Sequence, residues 1–147
     1  MWYVELIVYI ALIMIFSQTI TFIDLASDEQ EVNNEALILV GTLLDIQERS
    51  RNYHYMETTD FRPFCYIYKD RYEVQLTQDE EAIPYYLPKN VNLDFYDNAN
   101  FFIFRQLSLY NSWPTKTIKV YKGNIAKYII INRVGRIRIS KFYEGAS

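Results

Sequence analysis

The chain has 147 residues, 50% hydrophobic, 17% aromatic and 22% charged, with a formal net charge of −3. That length holds one small globular domain beside one long helix, and its single cysteine and single histidine exclude an internal disulfide and a paired-histidine metal site. Residues 1–48 carry eight acids and no base, which leaves residues 49–147 a net +5, too weakly basic to imply nucleic-acid binding by itself.

The chain opens on an almost wholly apolar run from Met1 to Ile23, broken by one carboxylate, Glu5. About twenty such residues suffice to cross a bilayer as a helix. An acid near one end of that helix costs about 2–3 kcal/mol and calls for a partner. The nearest is an α-amino group, cationic below about pH 8; the chain's own lies about 6 Å away along a helix, and a neighbouring subunit's could come as close. The bland alternative places Glu5 at headgroup level with no role. A signal peptide fits less well: no Lys or Arg precedes Arg49, and no small-x-small cleavage site follows the run. With no flanking cation the positive-inside rule cannot orient the helix, and something basic is expected upstream.

Helical spacing continues past the apolar run. Val32, Ala36, Leu39 or Val40, Leu43 and Ile46 or Gln47 recur every three or four residues, with Asp28, Glu29, Glu31, Glu35 and Glu48 off the stripe. The pattern predicts one helix from about residue 2 to Met56, or two helices with a break at Ser27-Asp28, where both residues are good N-caps. Thr58-Thr59-Asp60 and Pro63 end it, and the period changes to two.

Phe64–Tyr68 and Tyr72–Leu76 read as a hairpin around Lys69-Asp70-Arg71. Thr77–Glu81 is loop, and Pro84 confines a strand at Ile83–Leu87 to a sheet edge. Leu87–Leu93 turns into a strand through Phe95, and Phe101–Phe104 is a further strand. Asn111–Pro114 reads as a turn, Thr117–Tyr121 and Ala126–Asn132 as strands about the Lys122-Gly123-Asn124 turn, and Gly135–Ser140 as the last strand. Helix first and strands after predict an α+β fold: a long N-terminal helix, membrane-spanning in its first half, packed on a mostly antiparallel C-terminal sheet. The divisions are 1–23 (membrane or filament-core half-helix), 24–56 (amphipathic half-helix) and 57–147 (β-rich globular domain).

Chemistry finds little to work with. Cys65 lies in an apolar strand, where a small buried hydrophobe is the usual role. No phosphate-binding loop, dinucleotide fingerprint, metalloprotease helix or nucleophile elbow is present. No enzyme activity, cofactor or metal is expected. Arg136 and Arg138 alternate with Ile137 and Ile139, so both should leave one sheet face. With Arg133 and Lys141 they form a candidate basic patch able to meet phosphate, or an ordinary solvated face. The 14 tyrosines could stack on bases, or serve sheet packing and subunit contacts.

Glu5 in its apolar helix, followed by Phe101–Phe104, Lys116–Val120, Lys122-Gly123, Ile129–Ile131 and Gly135-Arg-Ile-Arg-Ile139 in that order, resembles the minor-pilin branch of the type IV pilin-like proteins. Leu87–Leu93 resembles that branch's link into the C-terminal region. The resemblance implies a structural subunit of a competence (DNA-uptake) pilus, with a type II secretion pseudopilin as the alternative. A reading from another class is a membrane-tethered β domain acting as a binding or scaffold protein.

The resemblance further implies that Glu5 is the assembly residue, pairing with the amine of residue 1 on a neighbouring subunit, and that Met1 would be N-methylated if it is the mature start. The family's partners would be other major and minor pilins, a prepilin peptidase, an assembly ATPase with its platform machinery, the membrane, and DNA through the assembled filament. The family's location would be the cell membrane, single-pass with the C-terminal domain outside, and the cell surface after assembly. Two departures stand out. Met1 occupies the place of the usual Phe, so either the sequence begins at the processed end or the start lies further upstream. Trp113-Pro114 replaces the glycines common between the Phe104 and Thr117 strands.

Overall fold

The computed structural model describes residues 2–55, 61–96, 100–105, 108–109, 115–132 and 134–143, and within them all side chains except those of 2, 4, 18–25, 52–55, 105 and 108–109. One helix, α1 (Trp2–Tyr55), precedes nine strands: β1 (Phe64–Ile67), β2 (Arg71–Gln75), β3 (Ile83–Tyr86), β4 (Asn92–Phe95), β5 (Phe101–Arg105), β6 (Ser108–Leu109), β7 (Lys116–Lys122), β8 (Ile125–Ile131) and β9 (Ile137–Ser140). The helix passes Ser27-Asp28 unbroken. The expected helix end at Thr58–Asp60 and the turn at Asn111–Pro114 lie outside the described residues.

The strands form two antiparallel sheets, ordered β3-β2-β1-β5-β6 and β4-β7-β8-β9. Consecutive strands make the hairpins β1–β2, β2–β3, β5–β6, β7–β8 and β8–β9, and β1 reaches past three strands to pair with β5. Two backbone bonds tie the β1–β2 turn to the segment around β4: the Leu93 amide donates to Lys69 (2.8 Å) and the Leu87 amide to Asp70 (3.1 Å). Between β7 and β8 only Gly123 of the two loop residues has positive φ (57°), the pattern of a type II′ hairpin turn, which suits glycine at that position.

Both sheets bury one face against the second half of α1. Val32, Ala36, Leu39, Leu43 and Ile46 meet Cys65, Ile67, Val74, Phe102, Phe104, Ile118, Val120, Ile129 and Ile131 in one core. Of the alternatives left by the helical spacing, Leu39 enters the core fully while Val40 packs at its margin, and Ile46 and Gln47 are both buried. Gln47 satisfies its polarity by donating Nε2 to the Gly135 carbonyl (2.8 Å), and Ser50 Oγ donates to the Phe104 carbonyl. These bonds fix the helix on both sheets at once.

Two expectations need correction. The globular part carries two antiparallel sheets where a single one was expected. Among the described residues, no helix is long and apolar enough to cross a membrane. The membrane-spanning first half is therefore not supported, nor is the single-pass placement with an outward C-terminal domain at the cell surface. The physical reason is length. The uninterrupted apolar stretch is Leu6–Phe16, bounded by Glu5 and by Ser17-Gln18-Thr19; that is about 16 Å of helix against a hydrocarbon core of about 30 Å.

Candidate functional site

The first half of α1 presents apolar side chains on every side. Leu6, Ile7, Val8, Tyr9, Ile10 and Leu12–Phe16 are all exposed, and none belongs to the core. A helix apolar all round is normally one that other structure buries, and exposed apolar patches beyond a few hundred Å² mark interaction surfaces. The second half adds a smaller patch facing away from the sheets: Leu37 and Ile38 (both 52% exposed) and Leu44 (47%). Gly41 sits among them, and a Cβ there would meet nothing within 4 Å, so another helix could approach closely. Glu5 stands exposed at the start of this surface. Met1, its expected partner position, lies outside the described residues.

Acids from the start of the amphipathic stretch are pinned to the second sheet. Lys122 Nζ contacts Asp28 (2.7 Å) and Glu31, Lys127 Nζ contacts Glu29 (3.3 Å), and Lys141 Nζ reaches Glu29 at 3.6 Å. The helical spacing placed these acids off the core stripe but gave no sign of their partners, because the lysines come from strands roughly a hundred residues later. The hydrogen bond from Lys127, with the charge of Lys141 beside it, holds the Glu29 carboxyl below its ordinary value of 4.5. The bonds to Asp28 and Glu31 raise Lys122 above its ordinary 10.5.

The pH dependence follows in sign. A lowered carboxyl contributes stability that is present above its unfolded pKa and is lost as pH falls through the folded value. We therefore expect the unfolding midpoint to drop as pH falls below about 4.5, with the drop shallower in Glu29→Gln. A raised lysine contributes below its unfolded pKa and is lost only as pH rises through a folded value above 10.5. Thermal unfolding from pH 3 to 8 checks the acid limb; identical acid limbs for both proteins would remove Glu29 from the account.

Three of the four residues of the candidate basic patch are described. Arg133 lies outside the described residues. Arg136 is exposed in the turn before β9, its amide donating to Asn132 Oδ1 (2.8 Å). Arg138 is exposed on β9, opposite Ile130, while Ile137 and Ile139 on either side pack against the core. Lys141 turns toward Glu29. The alternation read from Gly135–Ile139 therefore holds.

Both sheets carry aromatics on the faces turned from the core. On the first, Phe101 lies 5.1 Å from Phe64 and 5.7 Å from Tyr66, and the Arg71 guanidinium caps Tyr68 at 4.3 Å. On the second, Tyr96, Tyr128 and Tyr143 form a triangle with ring centroids 4.1–6.1 Å apart, and Lys119 Nζ lies 4.8 Å from the Tyr121 ring. An open cleft of about 520 Å³ lies where the β1–β2 turn meets β4, lined by Tyr68, Lys69, Asp94, Phe95, Asn100 and Tyr121 among others.

Among the described residues no cluster of His, Cys, Asp and Glu could hold a metal ion. Burial pushes the Cys65 thiol up to about 12, so almost no thiolate forms near neutral pH. No protein-family model, curated protein or solved structure matches the chain.

Proposed function

We propose that the protein is a pilin-like structural subunit, a minor component of a DNA-uptake filament, that assembles through its N-terminal helix. The observation that carries this reading is the run of exposed apolar side chains from Leu6 to Phe16, which the chain's own core does not include. Burying one Leu or Ile of that run in a neighbour is worth about 1.5–3 kcal/mol. Several together exceed the cost of association, about 4–15 kcal/mol. The exposed Leu37, Ile38 and Leu44 around Gly41 extend the contact surface along the same helix. The order of the C-terminal segments from Phe101 to Ile139 supports the minor-pilin branch, and the choice of DNA uptake over secretion rests on the overall resemblance and on a Tyr-, Ile- and Asn-rich, glycine-poor composition. Partners in this reading are other major and minor pilins, a prepilin peptidase, and an assembly ATPase acting through its platform.

Glu5 is the register-setting residue. Once the apolar helices pack together, its carboxylate loses water and needs a cation, for which the amine of residue 1 on a neighbouring subunit is the nearest source. Breaking such a buried pair costs about 3–5 kcal/mol. Glu5→Gln should leave the unfolding midpoint unchanged, because the exposed Glu5 is outside the core. It should cut the fraction of subunit that co-purifies with filaments at least tenfold. Normal co-purification of the variant would sink the role assigned to Glu5.

A further inference from the structure

The outward face of the second sheet combines aromatic rings with cationic side chains. Lys119 on β7 stands opposite Asp94 on β4 and opposite Tyr128 on β8, and Tyr128 stands opposite Ser140 on β9. Side chains alternate across a strand, and the intervening Leu93, Val120, Ile129 and Ile139 face the core, so this row looks outward. Tyr121, two residues along from Lys119, is a diagonal neighbour of Tyr128, about 7–8 Å away. Tyr128 continues into Tyr96 and Tyr143, both 45% exposed. At its other end Tyr121 enters the cleft shared with Tyr68, Lys69 and Phe95. The rings thus make a discontinuous track from the cleft across the sheet.

The cations divide by face. Lys122, Lys127 and Lys141 turn to the helix acids. Among the described residues, Lys119 and Lys69 form no ion pair and stay with the aromatic track, and Arg138 is exposed on the same side. Asp94 is the one carboxylate in the row, and its Oδ1 accepts the Phe95 amide (2.8 Å).

We infer that this face, from the Tyr68–Tyr121 cleft to the Tyr96–Tyr128–Tyr143 triangle, binds single-stranded nucleic acid. Tyrosine rings stack on bases of any sequence, and lysines beside them neutralise phosphates. A duplex keeps its bases stacked inside and offers a sheet face mainly phosphates, so it would use the two lysines and leave the tyrosines idle. An uncharged sugar would use the rings and leave the lysines idle. A single strand uses both. The inference deepens the DNA-uptake reading but stands on this face alone, with no need for assembly.

The test is fluorescence anisotropy of a labelled oligothymidylate titrated with the dilute full chain at two salt concentrations. Binding should weaken with salt, and Tyr121→Ala should weaken it about tenfold, the loss of one stacked base. Tyr121→Phe should restore it, since stacking needs the ring and not the hydroxyl; that variant also controls for folding. Lys119→Gln should lower the salt dependence by about one phosphate contact. No binding at low salt would overturn the proposal. So would equal affinity of Tyr121→Ala and the unaltered chain, or tighter binding of a duplex of the same length. Glu5→Gln separates the two readings: oligonucleotide binding unchanged with assembly lost supports both, whereas assembly retained refutes only the role of Glu5.

Discussion

A chain beginning at Ala26 is expected to fold with an unfolding midpoint close to that of the full chain and to lose self-association. Among the described side chains, the helical contribution to the core begins at Val32 and ends at Ile46, and Leu6–Phe16 lie outside it, so removing residues 1–25 deletes none of the side chains seen in the core. Ser27 and Asp28 are good N-caps for the new helix start, and Asp28 keeps Lys122 within 2.7 Å. A shift of more than about 4–8 °C would mean that more than about 1 kcal/mol of stability comes from the deleted residues, which the exposure of Leu6–Phe16 argues against. Association should change far more. The full chain exposes ten large apolar residues between Leu6 and Phe16, and covering four or five of them is worth about 6–15 kcal/mol. Sedimentation velocity should show oligomers for the full chain and a monomer for the shortened one. A shortened chain that still associates would move the assembly surface to Leu37, Ile38 and Leu44 or to the sheets.

Phe102→Ala should destabilise the globular part by about 3–5 kcal/mol, while Phe101→Ala, one residue earlier, should cost about 0.5–1.5 kcal/mol. Phe102 is 1% exposed, lies 6.2 Å from Phe95, and carries Lys116 Nζ 4.8 Å from its ring centroid. Truncation there leaves a cavity beneath α1 and removes the ring beside a buried ammonium group. Phe101 points to the other face, 37% exposed, against Phe64 and Tyr66. A small domain has only about 5–15 kcal/mol in all, so Phe102→Ala could leave too little folded protein to titrate. Phe102→Leu then keeps the comparison usable, since it retains most of the apolar volume. Denaturant unfolding of the four proteins measures it. Equal losses at 101 and 102 would mean that β5 has the wrong face toward the core.

Much of the local structure is legible in the residues. The spacing of Val32, Ala36, Leu39, Leu43 and Ile46 marks the buried face of α1, and alternation marks Phe64–Ile67, Arg71–Gln75 and Lys116–Lys122. Pro84 places β3 at an edge because it cannot donate to a ladder. The two-residue β6 carries too few residues to show a period and is not visible in the sequence. The apolar run was legible as helix, and its reading as a membrane span failed because Glu5 and Ser17 bound a stretch about half the thickness of a hydrocarbon core.

The candidate sites were less legible. Arg136 and Arg138 could be assigned to one outward side from alternation alone, whereas the contact of Lys141 with Glu29 could not be read from it. The ion pairs between α1 and the β7–β9 strands were invisible because complementary charges about ninety residues apart have no local signature. The tyrosine track was likewise hidden: Tyr96, Tyr121, Tyr128 and Tyr143 lie on different elements and meet only when β4, β7, β8 and β9 pair.

The amino-acid sequence by itself determined where helix and strands form, which way each residue of a strand faces relative to its neighbours, and where the chain turns. These depend on rotamers, backbone sterics and hydrogen-bond capacity within a few residues. Only the tertiary structure decided that the strands split into two sheets, that β5 sits beside β1, and that the lysines of the second sheet divide between the helix acids and an aromatic face. Those outcomes depend on contacts whose entropy of closure is recovered only when the whole core of α1 and both sheets is buried together.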